Sequence, residues 1–247
     1  MRIITAILLV AIGSAGYSQT YQYEPSANKA EYWISKFTAR KDMDDLMDWS
    51  EDFIEFTKDK AAFANVNSSI MTPYFTSDVN ALDFVWLDIY PNSSQQHAAI
   101  EEMVTNGQEL SAEWPANNLR VISSWQWEIS NSLIDGEANG MVHYQDCILK
   151  EGVTLRDAFD AYKNFADKAK AAGDTMGRKM IFPESGNNID FDYVYTLWNS
   201  SITKYGSDSD IYVNQLYGSP EDKVLDDISV CKNGRTYVST PVIVPAS

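Results

Sequence analysis

The stretch Asp83-Phe84-Val85-Trp86-Leu87-Asp88-Ile89-Tyr90 returns 109 positions later as Asp192-Tyr193-Val194-Tyr195-Thr196-Leu197-Trp198. Each copy alternates in character from residue to residue, and alternation of period two is the mark of a strand with two different faces. Around each copy the same element types recur. Upstream of the first, Tyr32 to Phe37 reads as a strand, and a helical pattern follows with Leu46, Trp49, Phe53, Ile54 and Phe56 at helical spacing behind the acidic cap region Asp42 to Asp45. Ser69 to Thr76 is a further short β-rich run, Ser94 to Glu113 a second helix, and Leu119 to Ile129 a last strand. The order is β-α-β-β-α-β.

After a polar connector, Asp135 to Gly140, the order repeats. Val142 to Leu149 reads as a strand, Thr154 to Ala172 as a helix, Lys179 to Pro183 and Asp192 to Trp198 as strands, a less regular helical stretch falls within Asp208 to Leu225, and Ile228 to Lys232 closes the series. Individual residues recur as well: Asp45-Leu46-Met47-Asp48 and Phe53 match Asp157-Ala158-Phe159-Asp160 and Phe165 at an offset of 112, and Asn92-Ser93-Ser94 matches Asn199-Ser200-Ser201 at 107. Slowly shrinking offsets are what loop deletions produce in a duplicated unit. The competing reading is one α+β domain without internal symmetry.

On these strands and this element order the chain resembles the ferredoxin-like dimeric α/β-barrel superfamily in its internally duplicated form. The resemblance implies an α+β fold of two tandem ferredoxin-like units, residues 20–134 and 135–247, whose antiparallel sheets pack as a pseudo-dimeric α/β barrel. It covers the chain from about Tyr32 to Val242 and rests on no diagnostic motif, so it carries no activity with it. One departure from the pattern is Lys232-Asn233-Gly234-Arg235, since Asn-Gly is a strong hairpin signal and predicts that the second unit ends in a hairpin instead of one long strand. In the topology of that superfamily the first and last strands of a unit are antiparallel neighbours. Cys147 and Cys231, the two cysteines of the chain, lie in those strands of the second unit and are expected to form a disulfide, with two buried free thiols as the alternative.

The N-terminus reads as a secretory leader. Residues 1–19 hold Arg2, the apolar run Ile3 to Ile12, and the small residues Gly13, Ser14, Ala15 and Gly16, a run too short to span a bilayer as an anchor. The expected location is therefore periplasmic or extracellular. The 19 Lys and Arg against 35 Asp and Glu give a net charge of −16, a field that repels nucleic acid and anionic lipid. No nucleic-acid or membrane partner is expected for the exported chain.

Candidate site residues come from strand faces. On the first quoted strand Val85, Leu87 and Ile89 form an aliphatic face suited to packing under helices, and Phe84, Trp86, Asp88 and Tyr90 form the other, which is expected to line a cavity between the sheets. A carboxylate among three aromatic rings fits a lined cavity better than a tight core, because burying it without partners is costly. Tyr193 and Tyr195 take the equivalent places in the second copy, and Trp33 adds a ring from the first strand. Such rings suit a small apolar or aromatic ligand; the bland alternative is that they fill the space between sheets. His143, beside Tyr144, is a candidate base or haem ligand, with a structural role favoured because no second His or Cys cluster accompanies it. His97 reads as solvated surface, and Asp208-Ser209-Asp210 as a solvated turn lacking the Gly and terminal Glu of a calcium loop. No zinc-type spacing, P-loop, G-x-S-x-G or G-x-G-x-x-G occurs, and neither a metal nor a cofactor is called for. Three functional classes stay open: a ligand-binding protein, a monooxygenase-like enzyme, and an interaction module with a filled barrel.

Overall fold

In the computed structural model, which describes residues 21–133, 139–186 and 190–244, eight antiparallel strands close on themselves. They are β1 (Ser26–Phe37), β2 (Asn67–Phe75), β3 (Phe84–Tyr90), β4 (Ala116–Ser130), β5 (Gly140–Leu149), β6 (Gly177–Ser185), β7 (Tyr193–Asn199) and β8 (Ser229–Ile243), in the spatial order β1-β3-β2-β8-β5-β7-β6-β4. The runs β4-β1-β3-β2 and β8-β5-β7-β6 have the same internal order, and β2–β8 and β4–β6 join them. Closure leaves no sheet edge open to pair with another chain. The leader, residues 1–19, and most of the connector lie outside the described residues. Among the described residues no helix is long and apolar enough to cross a membrane.

Among the same residues six α-helices cover the barrel: α1 (Met43–Thr57), α2 (Ser93–Asn106), α3 (Gln108–Ala112), α4 (Leu155–Ala171), α5 (Ile202–Ile211) and α6 (Pro220–Ile228). The starts of α1 and α4 are built alike. Asp42 caps α1 in a reciprocal box with Asp45, and Thr154 caps α4 in the same box with Asp157, at the 112-residue offset of the sequence repeat. The β1–β3 and β5–β7 junctions also match. The Asp83 amide donates to the Ser35 carbonyl at 2.9 Å while its carboxylate accepts from the Phe37 amide at 2.8 Å; the Asp192 amide donates to the Cys147 carbonyl at 2.9 Å while its carboxylate accepts from the Leu149 amide at 2.7 Å.

The segment between Ser94 and Glu113 is two helices, because α2 stops at Gly107 and α3 restarts there. The irregular helical stretch of the second half is α5, a π-helical turn over Tyr212–Leu216, and α6. Asp208 does not sit in a solvated turn. It lies within α5, fully buried, and accepts from the Thr175 amide, the Thr175 hydroxyl and Asn199 Nδ2.

Asn233-Gly234 does not turn the chain back. β8 runs unbroken from Ser229 to Ile243, and the pairing with β5 slips between Tyr144 and Asp146, so that the Asn-Gly pair is accommodated as a bulge opposite Gln145. Asn233 takes the left-handed conformation at φ 54°, and its side chain donates to Asp146. The turn propensity is thus spent inside a strand, held by pairing on both sides.

Cys147 and Cys231 are directly opposed in the β5–β8 ladder and form a disulfide, with Cα atoms 4.1 Å apart. In the first half the corresponding β1–β4 position carries a hydrogen bond instead, from the Ser35 hydroxyl to Asn118 Oδ1 at 2.8 Å.

Both faces of the barrel wall are buried, and this decides where a site can lie. Outside the wall, Leu46, Trp49 and Phe53 of α1 meet Ile70, Phe84, Trp86 and Tyr90 in one core, and Phe159 and Tyr162 of α4 meet Met180, Tyr193 and Tyr195 in another. Inside it, strand residues alone form a third cluster: Ala30, Met71, Val85, Leu87, Val142, Tyr144, Ile181, Val194 and Tyr237.

Candidate functional site in the barrel lumen

The lumen is hollow at both ends and closed across the middle. A chamber of about 340 Å³ opens at one end and one of about 330 Å³ at the other. Tyr32, Met71 and Tyr144 line both and form the septum between them. The Tyr144 hydroxyl donates to Met71 Sδ at 3.2 Å, and the ring of Tyr144 stands edge-on to those of Tyr32 and Tyr237, with centroids 6.2 and 5.9 Å away. These contacts explain why the septum is ordered: each aromatic edge meets a ring face, and the buried hydroxyl has an acceptor.

The first chamber is walled by Leu87, Ile89 and Val142 and by a group of polar side chains from β1, β4, β6 and β7. Lys179 projects inward from β6, between the outward Arg178 and Met180, as strand alternation requires. Its Nζ donates to Gln126 Oε1 at 3.1 Å, and Gln126 Nε2 donates to the Tyr32 hydroxyl at 2.7 Å. The ammonium also lies 5.2 Å from the centroid of the Trp198 ring. Trp198 can lie flat against the wall because its partner on β6 is Gly177; a Cβ there would fall 2.2 Å from the indole. Burial of Lys179 pulls its pKa down to about 8, opposed in part by the field of Glu128. The second chamber is more apolar, with Ile34, Val85, Ile122, Ile181, Pro183 and Phe191, and Arg235 enters it paired to Asp146 at 2.9 Å.

The residues expected to line a cavity lie elsewhere. Phe84, Trp86 and Tyr90 face α1 in the outer core, with Trp33 packed against them; Tyr193 and Tyr195 face α4. Val85, Leu87 and Ile89, expected under the helices, face the lumen instead. The faces are therefore the reverse of the expectation. The physical reason is the partners on the helix side: Trp86 stands edge-on to Trp49 and Phe53 of α1, and Tyr195 stacks on Tyr162 of α4, so the rings are held by other rings there. His143 alternates with the inward Val142 and Tyr144, so it points away from the lumen, and its Nδ1 pairs with the Thr236 hydroxyl at 2.8 Å. His97 is exposed on α2, as expected.

Asp88 is buried on the helix side, directly opposite Glu31 in the β1–β3 ladder. It accepts from the Ser68 hydroxyl at 2.5 Å and Trp86 Nε1 at 2.9 Å, while Glu31 accepts from Gln96 Nε2 at 2.8 Å and Trp33 Nε1 at 3.3 Å. Burial first, and the Glu31 charge beside it, push Asp88 up to about 7 from its ordinary value near 3.8. Burial raises Glu31 too.

A carboxyl group whose pKa is raised by folding costs nothing below its unfolded value and its full penalty above the folded one. Stability should therefore fall as pH rises from about 4 to about 7, by on the order of 2–4 kcal/mol from Asp88. Asp88→Asn is expected to match the parent near pH 4 and to exceed it at pH 8, in urea denaturation followed across that range. A variant less stable than the parent at pH 8 would contradict the assignment.

The lumen residues Tyr32, Gln126, Tyr144, Lys179, Thr196 and Trp198 were not among the sequence candidates. The one signal for Lys179 is a charged residue entering the apolar run Met180-Ile181-Phe182, and a lysine at a strand end is ordinarily solvated.

No family model matches the chain, and no curated protein matches it in sequence. Solved structures do match in fold. The chain is similar to a putative monooxygenase from Lactobacillus acidophilus NCFM, at 12% identity over 90% of this chain and 96% of that one, with a TM-score of 0.52. It is similar to a mutant chlorite dismutase from Candidatus Nitrospira defluvii, at 7% identity over 90% and 94%, with a TM-score of 0.51. A heme-binding protein from Thermus thermophilus matches at 8% identity over 88% and 95%, with a TM-score of 0.50. What these structures share with the chain is the fold, here a closed eight-stranded α/β barrel, in line with the dimeric α/β-barrel resemblance of the sequence.

Proposed function

We propose that this chain is an exported small-molecule-binding protein whose ligand sits in the first chamber of the barrel lumen. The observation that carries the reading is a chamber of about 340 Å³, within the size range of small-molecule sites, that joins aliphatic walls to a few convergent polar groups. A barrel serving only as a scaffold would gain by filling that space, since empty apolar volume forfeits packing energy. The interaction-module reading, which needs a filled barrel, loses support on the same ground. The Cys147–Cys231 bridge accords with an oxidising compartment and hence with export. We also read residues 20–134 and 135–247 as tandem copies of one unit, supported by the repeated strand order, the paired capping boxes and the matched Asp83 and Asp192 junctions.

N-Phenyl-1-naphthylamine, a neutral aromatic probe that brightens in apolar surroundings, tests the reading. It should bind the full chain saturably. Val142→Trp, which places an indole in the first chamber, should weaken that binding at least about tenfold while leaving the far-UV circular dichroism unchanged. Unaltered binding to this variant would overturn the reading.

A second reading, a monooxygenase-like enzyme, draws on the fold shared with putative monooxygenases and on the Lys179–Gln126–Tyr32 chain of hydrogen bonds, which could move a proton to or from a bound aromatic substrate. Oxygen uptake on addition of an air-oxidisable dihydroxyaromatic compound, lost in Lys179→Met, would favour it over simple binding. Haem, which one structural neighbour is described as binding, finds neither an imidazole nor a thiolate in this lumen, because His143 faces outward and both cysteines are bridged.

A further inference from the structure

Two other cations among the described residues are buried, and each has a carboxylate within reach: Lys29 meets Glu184 at 2.6 Å and Arg178 meets Asp174 at 2.7 Å. Lys179 departs from this pattern. It is 8% exposed, and among the described residues no carboxylate lies within ion-pair distance of its ammonium. Its one hydrogen-bond partner among those residues is the neutral Gln126. An ammonium group has three donors and no acceptor, so further N–H groups are left for whatever enters the chamber. Burying a cation without an ion-pair partner is costly, and here only the field of Glu128 beyond ion-pair distance and the face of Trp198 offset that cost. The charge is placed where a ligand could neutralise it.

The rest of the chamber narrows the shape of that ligand. The Trp198 ring forms a flat wall beside the ammonium, fixed by its contact with Gly177. Leu87, Ile89 and Val142 supply apolar walls. On the far side of Gln126 the Tyr32 hydroxyl is engaged as an acceptor, and burial pushes its pKa well up, so it remains a neutral donor. We infer that the ligand of the first chamber is a planar organic anion, with its carboxylate, sulfonate or phenolate oxygen on Lys179 and its ring system against Trp198 and the aliphatic wall. This rests on the lumen-binding reading above and adds to it the charge and shape of the ligand. In a chain of net charge −16, a buried cation without a counter-ion selects for an anion that the outer surface would repel. Binding should accordingly be weak at low salt and strengthen as long-range repulsion is screened.

Two probes with the same rings separate the inferences. 8-Anilinonaphthalene-1-sulfonate carries one sulfonate, and N-phenyl-1-naphthylamine carries none. At an ionic strength of about 0.5 M, where long-range fields are screened, the sulfonate should bind the full chain more tightly than the neutral probe. Lys179→Met, which keeps the length and removes the charge, should weaken the sulfonate at least about tenfold and leave the neutral probe within about twofold. The unmodified chain gives a second measurement that does not depend on the variant folding. Raising the pH from 7 to 9, through the titration of Lys179 near 8, should weaken the sulfonate while the neutral probe holds. The other titratable groups facing Lys179 are Glu128 on β4, Tyr32 on β1 and Tyr144 on β5. Burial holds both tyrosines protonated in this window. A neutral probe that binds as tightly as the sulfonate, or a sulfonate affinity indifferent both to Lys179→Met and to pH, would overturn the anion inference and leave the lumen site standing. Failure of both probes to bind the unmodified chain would remove the lumen site itself.

Discussion

Replacing Asp208 with Ala is expected to destabilise the protein by about 3 kcal/mol, the cost of leaving several buried donors without their acceptor. The carboxylate is fully buried in α5 and one of its oxygens accepts from three groups: the Thr175 amide at 3.1 Å, the Thr175 hydroxyl at 2.6 Å and Asn199 Nδ2 at 2.9 Å. The three donors belong to the approach to β6 and to the end of β7, so a single carboxylate ties α5 to both strands. Lys204, 3.3 Å from the other oxygen, is partly exposed and can return to water at little cost. Asp208→Asn should recover part of the loss, since an amide oxygen can still accept while the amide nitrogen meets donors. Urea denaturation of the three proteins measures this, and a loss below about 1 kcal/mol for Asp208→Ala would show that water replaces the carboxylate.

Removal of the disulfide should cost more. Cys147 and Cys231 are 84 positions apart, and the loop they close holds α4, β6, β7, α5 and α6. Tying that loop restricts the unfolded chain, which in the chain-entropy account is worth about 4 kcal/mol. The folded state gives little of it back, because the two residues are already a directly opposed pair of the β5–β8 ladder whether or not they are bonded. Cys147→Ala with Cys231→Ala should therefore keep the fold, lower the denaturation midpoint and steepen the transition, because the unfolded chain without the cross-link exposes more surface. Two reactive thiols in the denatured, unreduced parent would contradict the bridge. Equal midpoints for parent and double variant would contradict its energetic role.

The order of elements along the chain was readable in the sequence because period-two alternation and its recurrence at offsets of 107 to 112 are properties of the chain itself. Which face looks inward was not. Alternation sorts residues into two sets without saying which set meets the lumen, and here both sides of the wall are buried, so polarity could not separate them. Val85, Leu87 and Ile89 looked like a helix-packing face only because aliphatic residues usually are; in this barrel the rings of Phe84, Trp86 and Tyr90 pack beneath α1 instead. Asp208 was misread for a related reason. Its hydrogen-bond donors, Thr175 and Asn199, come from other elements, and nothing near Asp208-Ser209-Asp210 announces them. The Asn233-Gly234 signal was real, since Asn233 does take a left-handed conformation, but the ladder with β5, paired at Lys232 before it and at Arg235 after it, carries β8 through. Lys179 shows the same limit in the site. Its significance is that no carboxylate among the described residues pairs with it, and that is a property of the assembled barrel.

Where a ligand sits relative to the barrel wall decides whether the lumen is the binding site. Methyl-resolved NMR of the full chain titrated with N-phenyl-1-naphthylamine reads this directly, because the two sides of the wall carry different aliphatic residues. Binding in the lumen should shift the methyl signals of Leu87, Ile89 and Val142 and leave those of Leu46, Leu110 and Ile228, beneath the helices, in place. Shifts confined to Leu46, Leu110 and Ile228, with the lumen methyls unmoved, would contradict it.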